Sequence, residues 1–295
     1  MTDAHAPDSG QYYVPHHSPW PIFGSVTLFT VMLGAIVYLN DWLGLWALIP
    51  GALLLATLFF LWFSTVIDEN QRGIYNLQVD RSFRMGMMWF IFSEVMFFAA
   101  FFGALFYARV LSVPWLGGAG TKMFTNYVLW PHFDGTWPSN GPGHVGGRAD
   151  ASFNVMNPFG IPALNTLILL TSGFTVTMAH HALRSARRTP LAVWLALTFL
   201  LGFTFVGFQA YEYGEAYREM GLRLTTGIYG STFFMLTGFH GLHVSIGAIM
   251  LTVIWLRVLR GHFTPQRHFA FEAVSWYWHF VDVVWLGLFV FVYWL

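Results

Sequence analysis

Two carboxyl groups interrupt long apolar stretches of this chain, and acids in such positions could do chemistry. Glu94 lies in Phe-Ile-Phe-Ser-Glu-Val-Met-Phe-Phe, ten residues beyond Arg84. Asp282 lies in the apolar run that ends the sequence, three residues after His279, so both share one helical face. An Asp–His pair can relay a proton, and it can equally fix the register of one helix against another.

The depth of Glu94 follows from helix geometry. A rise of 1.5 Å per residue places this carboxyl group about 15 Å beyond Arg84, near the middle of a bilayer. An ionised carboxylate there costs about 2.5 kcal/mol or more. We therefore expect Glu94 to be protonated, or to face a partner or water. It serves either as a proton-pathway or lipid-contact acid, or as a neutral acid that fixes helix packing.

Histidines also fall inside the apolar runs. His240 and His243 stand three residues apart, which permits two metal ligands, but a metal site would need further ligands from other helices. His180 and His181 are consecutive and point to different faces of a helix. We predict hydrogen bonding between helices for these histidines and no metal site.

Composition places these groups in a membrane protein. The 295 residues are 56% hydrophobic and only 9% charged, whereas soluble domains carry about 25% charged residues. The 14 basic and 14 acidic residues form no basic stripe, so we expect no nucleic-acid partner. The chain has no cysteine, which excludes disulfides, thiolate zinc sites, iron–sulfur clusters and a dicopper centre.

Seven apolar runs are long enough to span a bilayer, which takes about 20 residues. They are 22–39, 42–67, 85–108, 158–183, 189–211, 224–256 and 273–295. We expect an all-α integral membrane protein that forms a single membrane domain. Its predicted parts are a polar arm (1–20), the first two helices (21–67), the third helix (84–112), a Gly/Pro-rich extramembrane loop (113–157) and the last four helices (158–295).

The basic residues predict an orientation. With the N-terminus in the cytoplasm, nine fall inside: Arg72, Arg81, Arg84, Arg184, Arg187, Arg188, Arg257, Arg260 and Arg267. Five fall outside: Arg109, Lys122, Arg148, Arg218 and Arg223. The excess of nine over five favours a cytoplasmic N-terminus and an outer C-terminus.

Small residues predict where helices approach closely. Ala99 with Gly103 and Gly241 with Ser245 are four residues apart, a spacing that lets helix backbones meet. We expect Gly202 and Gly207 to serve the same purpose.

Several motifs together resemble subunit III of the haem–copper cytochrome c oxidases. They occupy 91–98, 164–166, 177–181, 208–213, 227–234, 238–243, 271–273 and 276–285. The motif Trp-Tyr-Trp-His-Phe-Val-Asp-Val-Val-Trp at 276–285 is the most specific of them.

The resemblance implies a bacterial aa3-type oxidase subunit in the inner membrane, with a periplasmic C-terminus. It implies two bundles, the first two helices and the other five, separated by a V-shaped lipid cleft. In this family subunit III holds no cofactor, because subunits I and II carry the haems and coppers. It stabilises subunit I, binds phospholipid and supports proton uptake while the complex oxidises cytochrome c, reduces O2 and pumps protons.

The resemblance also assigns roles to residues of this chain. Glu94 matches a buried acid near the subunit I contact, and we group Asp282 and His279 with it as proton-related. Arg257 matches a lipid-phosphate-binding arginine, and Trp62, Glu69 and Arg84 are expected at lipid. Polar residues expected in helix packing are His180, His240, His243 and Glu272. The arm histidines His5, His16 and His17 are expected to buffer protons near the uptake site.

Two alternatives stay open from the sequence. The polar groups Glu94, His240, His243 and Asp282 would also suit a stand-alone proton or solute transporter, although no internal repeat is visible. An accessory subunit of a related quinol oxidase or nitric oxide reductase is the other. Those relatives have five helices, and the hairpin at 22–67 argues against them.

Overall fold

The computed structural model describes residues 13–14, 17–147 and 152–295. Seven helices in these ranges are long and apolar enough to cross a membrane, and the same ranges contain no strand. The prediction of an all-α membrane protein with seven spanning helices is therefore confirmed. Most of the predicted arm, with His5 and His16, and also Arg148, lie outside the described residues.

The helices are numbered in chain order. They are α1 (Trp20–Leu39), α2 (Ile49–Gln71), α3 (Leu77–Phe106), α4 (Val113–Leu116), α5 (Met123–Leu129), α6 (Ile161–Arg184), α7 (Arg188–Arg218), α8 (Gly227–Leu259) and α9 (Phe269–Leu288). Several extend beyond the apolar runs, because polar residues at a membrane surface continue a helix as well as apolar ones do. The third spanning helix begins at Leu77 rather than 84, and α7 continues to Arg218.

The segment predicted as a loop, 113–157, contains short helices. A π-helical turn, Tyr107–Ser112, joins α3 to α4, and a 3-10 turn, Gly120–Lys122, precedes α5. The side-chain amide nitrogen of Asn126 lies 2.9, 2.8 and 3.1 Å from the carbonyl oxygens of Leu116, Trp130 and Phe133, which share its two hydrogens. One asparagine thus holds the path of this segment.

The chain divides into two compact units, Met1–Met85 and Gly86–Leu295. In the first unit, α1 packs closely against α2 and against the preceding 3-10 turn Gly44–Leu48 where glycines leave room. A Cβ atom at Gly51 would lie 2.8 Å from the Cα of Val31, and one at Gly34 would collide with the carbonyl of Ala47.

The core of the second unit lies among α6, α7, α8 and α9. Trp278 of α9 is fully buried between two glycines. A Cβ atom at Gly202 of α7 would lie 2.6 Å from its ring, and one at Gly247 of α8 would lie 2.8 Å from it. The packing role predicted for Gly202 is confirmed. Within this chain the same prediction is wrong for Gly103, Gly207 and Gly241, where a Cβ atom would meet nothing within 4 Å.

Candidate functional site

Glu94 of α3 bonds to His243 of α8. Its Oε2 atom lies 2.9 Å from the Nε2 atom of His243. The Nδ1 atom of the same ring lies 2.6 Å from the carbonyl oxygen of Phe239. The carboxyl group that the sequence singled out therefore has a histidine partner, which it needs in an apolar setting.

The two bonds of His243 determine how many protons the pair holds. A backbone carbonyl only accepts, so Nδ1 of His243 donates to Phe239 and carries a hydrogen. The contact with Glu94 then requires one further proton between Nε2 and Oε2. Whichever atom holds that proton, the pair has no net charge, which suits the interior of a membrane.

Aromatic rings surround this pair. The ring of Phe98 meets His243 edge-on at 5.0 Å, and Tyr277 stacks on His243 at 6.3 Å. The Tyr277 hydroxyl donates to the backbone carbonyl of His243 at 3.3 Å. The Glu94 side chain keeps 21% of its surface exposed, so one side of the carboxyl group reaches the outside of this unit.

Asp282 and His279 form a second, weaker pair on α9. Asp282 Oδ2 lies 3.5 Å from Nδ1 of His279, whose Nε2 lies 3.4 Å from the Thr177 hydroxyl. Asp282 is 7% exposed, whereas the His279 side chain is 45% exposed. Gly173 of α6 leaves the room for the carboxyl group, since a Cβ atom there would collide with Oδ2 of Asp282.

Two tryptophans join α9 to α6 beside this pair. The indole N–H of Trp278 donates to the Ser172 hydroxyl at 2.9 Å, and that of Trp285 donates to the Thr166 hydroxyl at 2.9 Å. These bonds satisfy buried donors of the aromatic motif. The motif at 276–285 therefore fixes the register of α9 on α6 and holds Asp282 in place.

His240 is buried and does not share a site with His243. Its Nε2 lies 3.1 Å from the carbonyl oxygen of Val281, so Nε2 donates and links α8 to α9. Its ring lies 5.1 Å from that of Trp285 and 5.6 Å from that of Phe205. These contacts are those expected of a histidine that hydrogen-bonds between helices.

His180 and Glu272 meet a third residue, His268, where α6 ends and α9 begins. Glu272 Oε1 lies 3.3 Å from Nε2 of His268 and 3.8 Å from Nε2 of His180. One donor atom of each residue lies within 4.8 Å of the others, a spacing that one divalent cation could bridge. No local sequence pattern indicates this cluster, because 88 residues separate His180 from His268.

Arg257 lies in the last turn of α8 and is 7% exposed. Its guanidinium group sits 4.5 Å from the ring centre of Phe263. A cavity of about 110 Å³ at this end of the helices is lined by Phe263, Arg187, Arg188 and Gly261, among others. The lipid-phosphate role of Arg257 stays a prediction.

The other residues predicted at lipid lie in the first unit. Trp62 of α2 stacks on Trp20, with 6.4 Å between ring centres. Glu69 accepts hydrogen bonds from Tyr75 at 2.5 Å and from Tyr13 at 3.2 Å. Burial and the Glu69 carboxylate raise the pKa of the Tyr75 hydroxyl. Glu69 thus links Tyr13 and Tyr75 to the end of α2.

Arg84 was also predicted at lipid, and it bonds within its own helix. Its Nε atom donates to Asp80 Oδ2 at 2.8 Å, one turn earlier in α3. The two side chains keep 34% and 40% of their surface exposed, so this ion pair contributes little stability.

Glu212 of α7 is a buried acid that the sequence pattern does not indicate. It has no exposed surface, and the Tyr293 hydroxyl donates to its Oε1 at 2.7 Å. The run free of charged residues ends at 211, so Glu212 looked like the first residue beyond the membrane. Helix α7 continues to Arg218, so Glu212 lies within the helix, and its side chain is buried and bonded to Tyr293.

Comparison with known proteins gives a consistent result. The cytochrome c oxidase subunit III family profile matches residues 10–128 and 121–295. Cytochrome c oxidase subunit 3 of Struthio camelus is 39% identical over 284 residues, covering 96% of each chain. The same subunit of Marchantia polymorpha is 39% identical with the same coverage, and that of Chondrus crispus is 40% identical over 96% of this chain and 93% of its own.

Proposed function

Because this chain belongs to the cytochrome c oxidase subunit III family, we propose how its own residues serve that complex. It is an accessory subunit of a proton-pumping oxidoreductase and works in a complex with other oxidase subunits. The proposal is that it holds no redox centre, stabilises subunit I alongside subunit II, binds phospholipid and supports proton uptake. The transporter and the five-helix quinol oxidase or nitric oxide reductase relatives are the less favoured alternatives.

The observation that carries this proposal is the Glu94–His243 pair. It is neutral overall, it rests on Phe98 and Tyr277, and one side of the carboxyl group reaches the surface. A neutral polar pair at a membrane-facing surface can bond to a polar group of a neighbouring subunit without a large desolvation cost. We therefore propose that this face of α3 contacts subunit I.

The test compares Glu94→Ala with Glu94→Gln in the assembled oxidase. The amide of Gln still donates to His243 Nε2, whereas Ala leaves that buried nitrogen without a partner. We expect Glu94→Gln to retain sustained turnover. Glu94→Ala should keep a nearly normal single turnover but show weaker assembly or a loss of activity during turnover.

Two results would distinguish the roles of the pair. Equal behaviour of Glu94→Ala and wild type, with normal subunit content, would remove any function from the pair. Loss of sustained turnover in Glu94→Gln with normal assembly would mean that the proton itself, rather than the hydrogen bond, is what matters.

Phospholipid binding is proposed at Arg257 and the adjacent cavity. Guanidinium groups bind phosphate bidentately, and Arg187, Arg188 and Arg257 all belong to this end of the helices. Arg257→Gln should lower the phospholipid that co-purifies with the complex, measured by mass spectrometry. Lys122→Gln, on the segment between α3 and α6, is the control and should leave lipid content unchanged.

The chain is a multi-pass membrane protein, and its location is proposed in finer detail. Nine basic residues against five favour a cytoplasmic N-terminus and a periplasmic C-terminus in a bacterial inner membrane. An aa3-type oxidase, with haems and copper in the partner subunits, is the proposed setting.

A further inference from the structure

Glu212, Gln209 and Tyr293 form a polar cluster inside the second unit that none of the roles above uses. Glu212 has no exposed surface, Gln209 is 4% exposed and Tyr293 is 7% exposed. Glu212 and Gln209 stand three residues apart on one face of α7. Tyr293 belongs to the π-helical turn Phe289–Trp294 that follows α9.

The hydrogen bonds of the cluster run in one direction. The side-chain N–H of Gln209 donates to the Tyr293 hydroxyl at 3.4 Å. That hydroxyl has one hydrogen, and it donates this hydrogen to Glu212 Oε1 at 2.7 Å. The chain of hydrogen bonds therefore begins at the Gln209 amide and ends at the Glu212 carboxyl group.

At each end of this chain of hydrogen bonds, one oxygen atom has no hydrogen-bond partner. Glu212 Oε2 and Gln209 Oε1 are both buried and make no hydrogen bond with any described residue. A buried polar atom without a partner is destabilising, and more so in a membrane, where water cannot compensate. Such atoms in native proteins are usually bonded to an internal water molecule.

The charge state of Glu212 follows from its surroundings. Among the described residues, no Arg, Lys or His lies within ion-pair distance of its carboxyl group. A buried carboxylate without a cation is strongly disfavoured, so the neutral acid is the stable form. With Oε1 already accepting from Tyr293, the proton belongs on Oε2.

We infer that Glu212 is a protonated acid that binds one internal water molecule together with Gln209. Oε2–H of Glu212 donates to the water oxygen, and the water donates to Oε1 of Gln209. The two bonds close the hydrogen-bonded chain into a ring through Tyr293, and Glu212 Oε2 and Gln209 Oε1 then both have a partner. The ring ties α7 to the π-helical end of α9 and holds a proton apart from the one at Glu94.

Infrared difference spectroscopy of the whole oxidase tests both the protonated Glu212 and the bound water molecule. A protonated carboxyl group gives a C=O band that shifts on H/D exchange. We expect Glu212→Gln to lack one such band, and Glu219→Gln, an exposed acid later on the same chain segment, to retain it. In water labelled with oxygen-18, a sharp O–H band should shift in wild type and be absent from Gln209→Leu.

Different results of these measurements would overturn the protonated acid and the bound water. A carboxylate band in place of the C=O band would overturn the protonated acid. A C=O band without the water band would overturn the water, and would mean that Glu212 bonds directly to Gln209. If Glu212→Gln does not assemble, Tyr293→Phe serves instead, because loss of the bond to Oε1 should move the C=O band of Glu212 to higher frequency. An unmoved band would contradict the inference.

Discussion

Asp282 occupies space that only a glycine leaves free. A Cβ atom at Gly173 would collide with Oδ2 of Asp282, and His279 Nδ1 would lie 3.7 Å from it. We expect Gly173→Ala to destabilise the subunit by about 1–3 kcal/mol, because the added methyl group would displace the Asp282 carboxyl group from its position against α6. The measurement is the midpoint of thermal inactivation of the purified oxidase.

Gly214→Ala is the matched control for that substitution. A Cβ atom at Gly214 of α7 would meet nothing within 4 Å, and alanine favours a helix by about 0.5–1 kcal/mol over glycine. Its inactivation midpoint should equal or exceed that of wild type. Equal midpoints for Gly173→Ala and Gly214→Ala would show that the Asp282 carboxyl group is not held against α6.

At the scale of single residues, the sequence identified buried acids more readily than their hydrogen-bond partners. Glu94 stood out because an acid within an apolar run is costly anywhere in the span. Its partner, His243, lies 149 residues away, and no local pattern indicates such a pairing. Glu212 was missed for a related reason, since a run that ends at a charged residue looks like the end of a span.

At the scale of elements, α7 and α9 provide a matched pair of substitutions. A Cβ atom at Gly202 would lie 2.6 Å from the Trp278 ring, whereas one at Gly207 on the same helix would meet nothing within 4 Å. We expect Gly202→Ala to lower stability by about 1–3 kcal/mol and Gly207→Ala to leave it unchanged or higher. Thermal inactivation of both variants, side by side, measures the difference.

The behaviour of the two alanine variants shows whether Trp278 packs tightly against α7. If both alanine variants behave alike, Trp278 does not pack into α7 as tightly as these distances require. If only Gly202→Ala is destabilised, the indole ring of α9 is what sets the spacing of α7 from its neighbours.

The bond between Tyr75 and Glu69 predicts a dependence on pH. Burial and the carboxylate raise the pKa of Tyr75 above its ordinary value of 10.0, so the folded chain holds this proton more tightly than the unfolded chain. The stabilisation that the protonated Tyr75 hydroxyl contributes is complete below pH 10.0. It is lost as the pH rises above this value and the hydroxyl loses its proton.

The variant Tyr75→Phe measures that stabilisation. Its inactivation midpoint should lie below that of wild type by a constant amount up to about pH 10, and the gap should narrow at higher pH. Tyr127→Phe, on an exposed tyrosine of α5, should leave the pH profile unchanged. A gap that widens with rising pH would contradict the role of the protonated hydroxyl.

Helix existence was predictable here, but helix ends and helix faces were not. Apolar runs of 18 residues or more identify spans, because a bilayer requires them. The early start of α3 at Leu77 depends on a polar turn that hydropathy cannot assign. Gly202 and Gly207 have the same residue type on the same helix, and only the position of Trp278 on another helix distinguishes them.

At the scale of the whole molecule, the absence of cysteine makes the predicted orientation easy to test. Ser185 lies between α6 and α7 and Thr225 between α7 and α8, and both are exposed. In intact cells, a membrane-impermeant maleimide should label Thr225→Cys and leave Ser185→Cys unlabelled until the membrane is opened. The reverse pattern would place the N-terminus outside.

The most direct test of the central claim is to purify this chain through an affinity tag in mild detergent. The reduced-minus-oxidised spectrum is then recorded before and after this subunit alone is stripped away. We predict that haem absorbance arrives with two partner subunits and stays with them, while the stripped chain is colourless. Haem that leaves with this chain, or a colourless chain that purifies alone, would contradict its assignment as a subunit without a redox centre.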